Sequence, residues 1–297
     1  MRVGIPKGLM YHNYYPFLHT FFEELGAELI VSTDTNKDIL DNGVKYCVDE
    51  ACLPIKVFHG HVHSIKDQCD LMVVPRIMQL REREFICPKF CGLPEMVVNS
   101  VPDLPMITMA PIYATSKARL YDWAKVTGKM VTNNRGKVQK AFEAALEKQR
   151  GYKMGLDDKD CTLRIALSGH PYCIHDTYLN MNIVKKLKKL GVGVLTEECI
   201  EETIIDNEVT RLYKRPFWTF ARKNYGFTSH ATNRGLVDGI IYISSFACGI
   251  DSVVVELIKH NIGEFPFLVL KIDEHTGEAG IDTRIEAFVD MLERRGS

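Results

Sequence analysis

Nine cysteines are the side chains best placed to do chemistry in this chain: Cys47, Cys52, Cys69, Cys87, Cys91, Cys161, Cys173, Cys199 and Cys248. Several lie beside proline or glycine where strands are expected to end. The segments are Asp49-Glu50-Ala51-Cys52-Leu53-Pro54, Ile86-Cys87-Pro88-Lys89-Phe90-Cys91-Gly92, Gly169-His170-Pro171-Tyr172-Cys173 and Ser245-Phe246-Ala247-Cys248-Gly249. Thiolates held at such turns bind metal, and the set points first to an iron–sulfur site. Cys87 and Cys91 are four residues apart, which puts both on one side of a helix start, where the helix N-terminus favours thiolate. That spacing is not the two-residue gap of a zinc ribbon, and it occurs once, so a structural zinc ribbon is poorly supported. Cys69, Cys161 and Cys199 lack the proline or glycine context and read as small buried hydrophobes, while Cys47, just before Cys52, is a minor ligand candidate.

Three further polar groups bear weighing. His59, His61 and His63 alternate, and on a helix His59 and His63 would share a face as half of a zinc site, but no glutamate lies between them in the zinc-protease arrangement. Roles beside a metal or on the surface are the better reading. Asp273, Glu274, His275 and Glu278 read as a solvated loop between a strand and a helix, with an acid or base facing a cleft as the sharper alternative. The run from Arg211 to Lys223 interleaves basic and aromatic residues, as a surface for the phosphates and adenine of coenzyme A or for single-stranded nucleic acid would. An amphipathic helix with Pro216 in its first turn and its basic side wet explains it more simply.

These residues need a scaffold. At 297 residues the chain can bury roughly 75% of its unfolded surface and lies at the size where one core splits into two. A net charge of −1 offers no global attraction to nucleic acid or to an anionic membrane, and neither partner is expected. The N-terminus has no signal-peptide core, and no run approaches the ~20 apolar residues of a membrane helix, so a cytoplasmic protein is expected. An odd number of cysteines in a reducing compartment is not a disulfide framework.

Strand-like apolar runs alternate with helix-period segments, the pattern of parallel α/β layers. Strands are expected over residues 2–5, 28–31, 71–75 and 106–109, then 163–167, 193–196, 239–243 and 267–272. Helices are expected over 16–25, 53–65, 88–99 and 136–150, then 176–190, 216–233, 251–260 and 280–294. The hydrophilic stretch 149–160 separates two Rossmann-like or flavodoxin-like domains, 1–150 and 161–297, which start alike at Gly4-Ile5-Pro6-Lys7-Gly8 and Gly169-His170-Pro171-Tyr172. Ligands in such sheets bind beyond the carboxyl ends of the strands, so Cys52, Cys87, Cys173 and Cys248 are expected to converge in an interdomain cleft if the halves face each other.

The motifs resemble the acyl-CoA dehydratase activase-related family of the 2-hydroxyacyl-CoA dehydratase superfamily nearly end to end. The resemblance rests on Gly4-Ile5-Pro6-Lys7-Gly8-Leu9, residues 48–61 around Cys52, Ile86-Cys87-Pro88-Lys89-Phe90, Gly169-His170-Pro171-Tyr172, and residues 273–280 with 283–288. It implies a 4Fe-4S cluster on Cys52, Cys87 and Cys248, and in some relatives a larger double-cubane form. It also implies low-potential electron transfer or reductive chemistry, an ATP-dependent activase or reductase as partner, and a small-molecule or CoA-thioester substrate. Cys91 and Cys173 depart from the family pattern and are candidates to complete the site. The chain lacks the Asp-x-Gly-x-Thr and Gly-x-x-x-x-Gly-Lys phosphate motifs, so it is not itself the ATP-hydrolysing activase. A non-enzymatic cluster carrier, a zinc or coenzyme A module, and a homodimer sharing ligands remain open alternatives.

Overall fold

The computed structural model describes residues 1–296. The chain divides into two compact units, Met1–Lys153 and Met154–Ser297. Each is a mixed α/β unit around a four-stranded parallel sheet.

In the N-terminal unit the order is β1 (Arg2–Ile5), α1 (Tyr11–Glu24), β2 (Glu28–Val31), α2 (Lys37–Lys45), α3 (Leu53–Ile65), β3 (Leu71–Met72), β4 (Arg76–Gln79), α4 (Pro88–Cys91), α5 (Leu93–Ser100), β5 (Met106–Ile107), β6 (Pro111–Tyr113), α6 (Lys117–Lys129) and α7 (Arg135–Arg150). The sheet runs β2-β1-β3-β5, and β4 pairs with β6 in a separate two-stranded ribbon. Val3, Ile5 and Leu71 of the sheet pack with Phe17, Phe21 and Phe22 of α1, Trp123 of α6 and Phe142 of α7. At ~1.5–3 kcal/mol for each large apolar side chain removed from water, this cluster is a major source of the unit's stability.

The C-terminal unit contains β7 (Leu163–Gly169), α8 (Pro171–Ile174), α9 (Ile183–Lys189), β8 (Val192–Thr196), α10 (Glu202–Val209), α11 (Thr219–Asn233), β9 (Gly239–Ser245), α12 (Gly249–Ile262), β10 (Phe267–Ile272) and α13 (Glu278–Gly296). Its sheet runs β10-β9-β7-β8. Counting strands from the start of each unit, and leaving out the ribbon, both sheets have the order 2-1-3-4. Each therefore reverses direction between its first and third strands, and that switch point is where parallel α/β sheets open a ligand crevice.

Three expected helices are altered. Residues 88–99 form α4 and α5, with Gly92 at the break. Residues 176–190 form only α9, because Met181 and Asn182 adopt left-handed backbone at φ 54° and 56° and stop a helix from crossing them. Pro216 lies outside α11, which starts at Thr219. Among the described residues, no helix is long and apolar enough to cross a membrane.

Candidate metal centre

Cys52 and Cys87 share a local geometry in the N-terminal unit. Each is the residue immediately before a helix, α3 and α4 respectively, with proline in the first turn and no capping hydrogen bond from its own side chain. Helices α2, α6 and α7 instead start on Asn36, Ser116 and Asn134, whose side chains accept an amide hydrogen bond. A thiol is a weak acceptor, so it makes a poor cap.

The position of α3, and hence of Cys52, depends on its close packing against α2. A Cβ on Gly60 would lie 1.9 Å from the Ile39 carbonyl oxygen, and one on Gly43 would lie 2.2 Å from that of Lys56. The two helices touch backbone to backbone there, which only glycine permits.

Burial raises the pKa of the Cys52 thiol; Lys89 and the Ile55 amide pull it back, and nearby Cys87 adds to the rise. Burial likewise pushes Cys47 up to about 11. Cys91, which with Cys87 was expected to be a ready-made thiolate at a helix start, is also pushed up by burial, so there desolvation outweighs the helix end, and a bound cation would have to drive deprotonation.

Cys248 lies in a different environment in the C-terminal unit. It precedes α12, and Ala247 before it has left-handed backbone at φ 60°, which turns the chain sharply out of β9. One donor atom each from Cys248, His170 and Asp251 lies within 4.8 Å of the others. His170 follows β7 and Asp251 lies in the first turn of α12, so the group occupies the switch point between β7 and β9.

Gly169 aims His170: its φ is +147°, and a Cβ would come 2.4 Å from the Ile243 carbonyl oxygen. The imidazole stacks on Tyr172 and meets Phe220 edge-on. Its Nδ1 is 3.4 Å from Asp251 Oδ2. Behind them runs a buried chain of hydrogen bonds. Ser168 Oγ and the Gly169 amide donate to Asn224 Oδ1, Asn224 Nδ2 donates to the Tyr242 hydroxyl at 3.1 Å, and Tyr242 donates to Asp251 Oδ1 at 2.7 Å. Burial pushes the Asp251 carboxyl up, but facing His170 and the hydrogen bonds from Tyr242 and Ser244 more than offset it and hold it below its ordinary value. Burial, reinforced by Asp251, keeps Tyr242 firmly protonated. Asp251 went unnoticed in the sequence because it reads there as an ordinary acidic residue of a helix first turn.

The other sequence candidates separate. Cys91 ends α4 and its thiol donates to the Ile77 carbonyl, turned toward β4. Cys173 is fully buried on α8. Among the described residues neither belongs to a group of three metal donors, and the His170, Cys248 and Asp251 set is the group found. Cys69 is buried as expected, but Cys161 and Cys199 are exposed, a correction that follows from their places before β7 and in the turn after β8.

The three histidines of α3 also part. His59 Nδ1 is 2.8 Å from the Ile55 carbonyl, His61 lies between the Ser32 and Thr35 hydroxyls at 2.9 Å each, and His63 stacks on Tyr46. The basic run is wet at Arg211, Lys214 and Arg215, which are exposed, and dry at its end. Arg222 is fully buried on Asp206 and Glu202, Lys223 bonds Glu197 and Glu202, Arg215 pairs with Asp206, and Arg211 pairs with Glu208. These carboxylates already occupy cations that phosphates would need. Asp273 accepts from Thr276 Oγ1 and the His275 amide, which makes its segment an ordered turn.

At the corresponding switch point of the N-terminal unit lies a cavity of about 130 Å³, walled by Ile5, Pro6, Phe58, Val73, Pro75 and Trp123 among others. An apolar cavity of ~150 Å³ stays dry and binds benzene, so this one suits a small apolar group. Tyr11 on its wall has a hydroxyl pushed up to about 12, chiefly by burial, and is no acid–base catalyst near neutrality.

The family model described as "CoA enzyme activase uncharacterised domain" matches residues 2–200. That stretch includes Cys52, Cys87 and His170 and stops before Cys248 and Asp251. No curated protein matches the chain. Among solved structures, a Mn-bound mutant of a periplasmic metal binding protein from Candidatus Liberibacter asiaticus is 10% identical, with 99% of each chain covered and a TM-score of 0.24. Aspartate transcarbamoylase from Trypanosoma cruzi, in its ligand-free form, is 8% identical over 95% of this chain and 76% of that one, with a TM-score of 0.21. Scores this low carry no argument about fold or function.

Proposed function

The chain belongs to the CoA enzyme activase uncharacterised domain family, and we propose that within it the protein is an iron–sulfur protein with Cys52, Cys87 and Cys248 as thiolate ligands. The observation that carries the reading is their common setting: each directly precedes a helix, and none makes a side-chain cap. Sulfur ligands in such a place leave nearby backbone amides to hydrogen-bond cluster sulfur and tune its potential. When bound, a cluster on three thiolates supplies a low-potential one-electron centre with one iron open to an outside ligand.

The residues do their part without it. Lys89 lowers the cost of ionising Cys52 against the burial that raises it. The apolar cavity between the ends of β1 and β3 offers room for a small apolar group. An ATP-dependent reductase as electron donor, and a small-molecule or coenzyme A thioester substrate, are what the resemblance to the 2-hydroxyacyl-CoA dehydratase superfamily implies, and they belong to the proposal. The experiment is iron analysis of Cys52→Ala, Cys87→Ala and Cys248→Ala beside Cys69→Ala. Each of the first three should lose most of the iron and the last should keep it; unchanged iron in all three removes the assignment.

A further inference from the structure

We infer that Cys248 does not bind metal alone: with His170 and Asp251 it forms a mixed sulfur, nitrogen and oxygen group in the C-terminal unit that takes a single divalent first-row transition metal ion. The group rests on its own donors, and because it shares Cys248 with the cluster reading, an ion held there is an alternative occupant of that thiolate to the cluster.

The first observation is convergence. Side chains from two separate segments, the turn after β7 and the turn after β9 with the start of α12, bring a thiol, an imidazole and a carboxylate within 4.8 Å of one another. The second is independent of it. Asp251 is 1% exposed, and its Oδ2, shielded from water, meets His170 Nδ1 only at 3.4 Å without the geometry of a hydrogen bond. A buried carboxylate oxygen so loosely partnered is costly, and a cation between it and the imidazole reduces the cost.

The spacing fits as well. Oδ2 lies 3.4 Å from His170 Nδ1. Two ligands at ~2.0–2.1 Å from a tetrahedral metal ion are about 3.3 Å apart. The remaining carboxylate oxygen is held by Tyr242, itself held by Asn224, so Asp251 is oriented from behind as the carboxylates of built metal sites are.

Three protein donors leave a fourth position open, the arrangement of a site that binds water or a substrate atom rather than one that only braces the fold. Donor softness favours zinc or ferrous iron over magnesium or calcium, which prefer oxygen alone. The bland account is a buried histidine–carboxylate pair that braces the switch point, with Cys248 as a bystander. In that account the thiol never meets a metal, so a signal from sulfur separates the two.

The probe is cobalt(II), whose thiolate complexes absorb by sulfur-to-metal charge transfer and whose tetrahedral sites show intense visible bands. It is titrated into the full chain carrying Cys52→Ala and Cys87→Ala, prepared without iron and checked by circular dichroism. One equivalent should bind with both signals, and zinc should displace it. Adding Cys248→Ser should abolish the charge-transfer band, and adding Asp251→Asn or His170→Ala should weaken binding at least tenfold. The proposal is overturned if the starting variant shows no charge-transfer band, or if the band survives Cys248→Ser, which would place the metal on other thiols. It is also overturned if folded Asp251→Asn and His170→Ala both bind as before. Acid-labile sulfide is not read in this experiment, so failure here leaves the cluster proposal to its own test.

Discussion

His170 Nδ1 stands 3.4 Å from Asp251 Oδ2, joining the turn that leaves β7 to the first turn of α12, which follows the adjacent parallel strand β9. The contact joins the two sides of the switch point, and Tyr242 supports it from within β9 by donating to the other carboxylate oxygen at 2.7 Å. Tyr242→Phe removes that donor and leaves both Asp251 Oδ1 and the Asn224 amide short of a partner in a dry setting. A loss of ~1–3 kcal/mol is expected from stranding buried polar groups. Urea denaturation measures it, and a variant as stable as the wild type would show that Asp251 does not depend on the tyrosine.

Gly169→Ala tests how His170 is aimed. The added Cβ would meet the Ile243 carbonyl oxygen at 2.4 Å, on a backbone with φ +147° that other residues rarely adopt. Destabilisation of ~1–3 kcal/mol is expected if the strands shift to relieve the overlap. The imidazole resonances of His170 should move as well, and unchanged stability and spectra would refute the assignment.

The contact between α2 and α3 sets where Cys52 begins its helix. Gly60→Ala would place a methyl 1.9 Å from the Ile39 carbonyl oxygen, and backbone cannot yield as a side-chain tip would. We expect a cost of about 3 kcal/mol or more. A denaturation midpoint equal to that of the wild type would mean the helices are not in backbone contact.

His61 gives the N-terminal unit a pH dependence. Burial first, then the nearby His12 and Lys7, lowers its pKa from 6.5 to about 3. The unfolded chain therefore takes up a proton as pH falls below 6.5 while the folded chain does not until about 3. Stability present above 6.5 is lost progressively across that window, with a slope of up to about 1.4 kcal/mol per pH unit from this group. His61→Asn should flatten the dependence of unfolding free energy on pH between about pH 4 and 6. Equal slopes in wild type and variant would contradict the assignment.

Arg222 is fully buried, with ion pairs to Glu202 at 2.8 Å and Asp206 at 3.1 Å. Arg222→Ala should cost about 3 kcal/mol, the lower end for a broken buried pair, because Glu202 is half exposed and keeps part of its hydration. A change below about 1 kcal/mol would place these pairs among the weak surface class.

The parallel α/β class was legible because its strands are short apolar runs set between helix-period segments: β1, β2 and β10 fall where the pattern puts them. Helices α2, α6 and α10 escaped notice because their polar surfaces and modest apolar stripes resemble loops. The left-handed pair Met181 and Asn182 carries no glycine or proline to announce the break before α9. At the candidate site the Gly-His-Pro-Tyr and Ala-Cys-Gly segments stood out, yet their meeting did not. Residues 170 and 251 come together only through the strand order β9-β7, a fact of topology rather than of spacing. Within the basic run only Arg222 and Lys223 departed from the expected wet side, since their carboxylate partners Glu197, Glu202 and Asp206 lie earlier in the chain and meet them only by folding.

The most direct measurement is iron and acid-labile sulfide, with electron paramagnetic resonance, on protein purified without oxygen. The account predicts brown protein containing both iron and sulfide, a paramagnetic signal on reduction by a strong reductant, and bleaching in air. Colourless anaerobic protein with stoichiometric zinc and no sulfide would contradict it, because zinc is redox-silent and needs no sulfide.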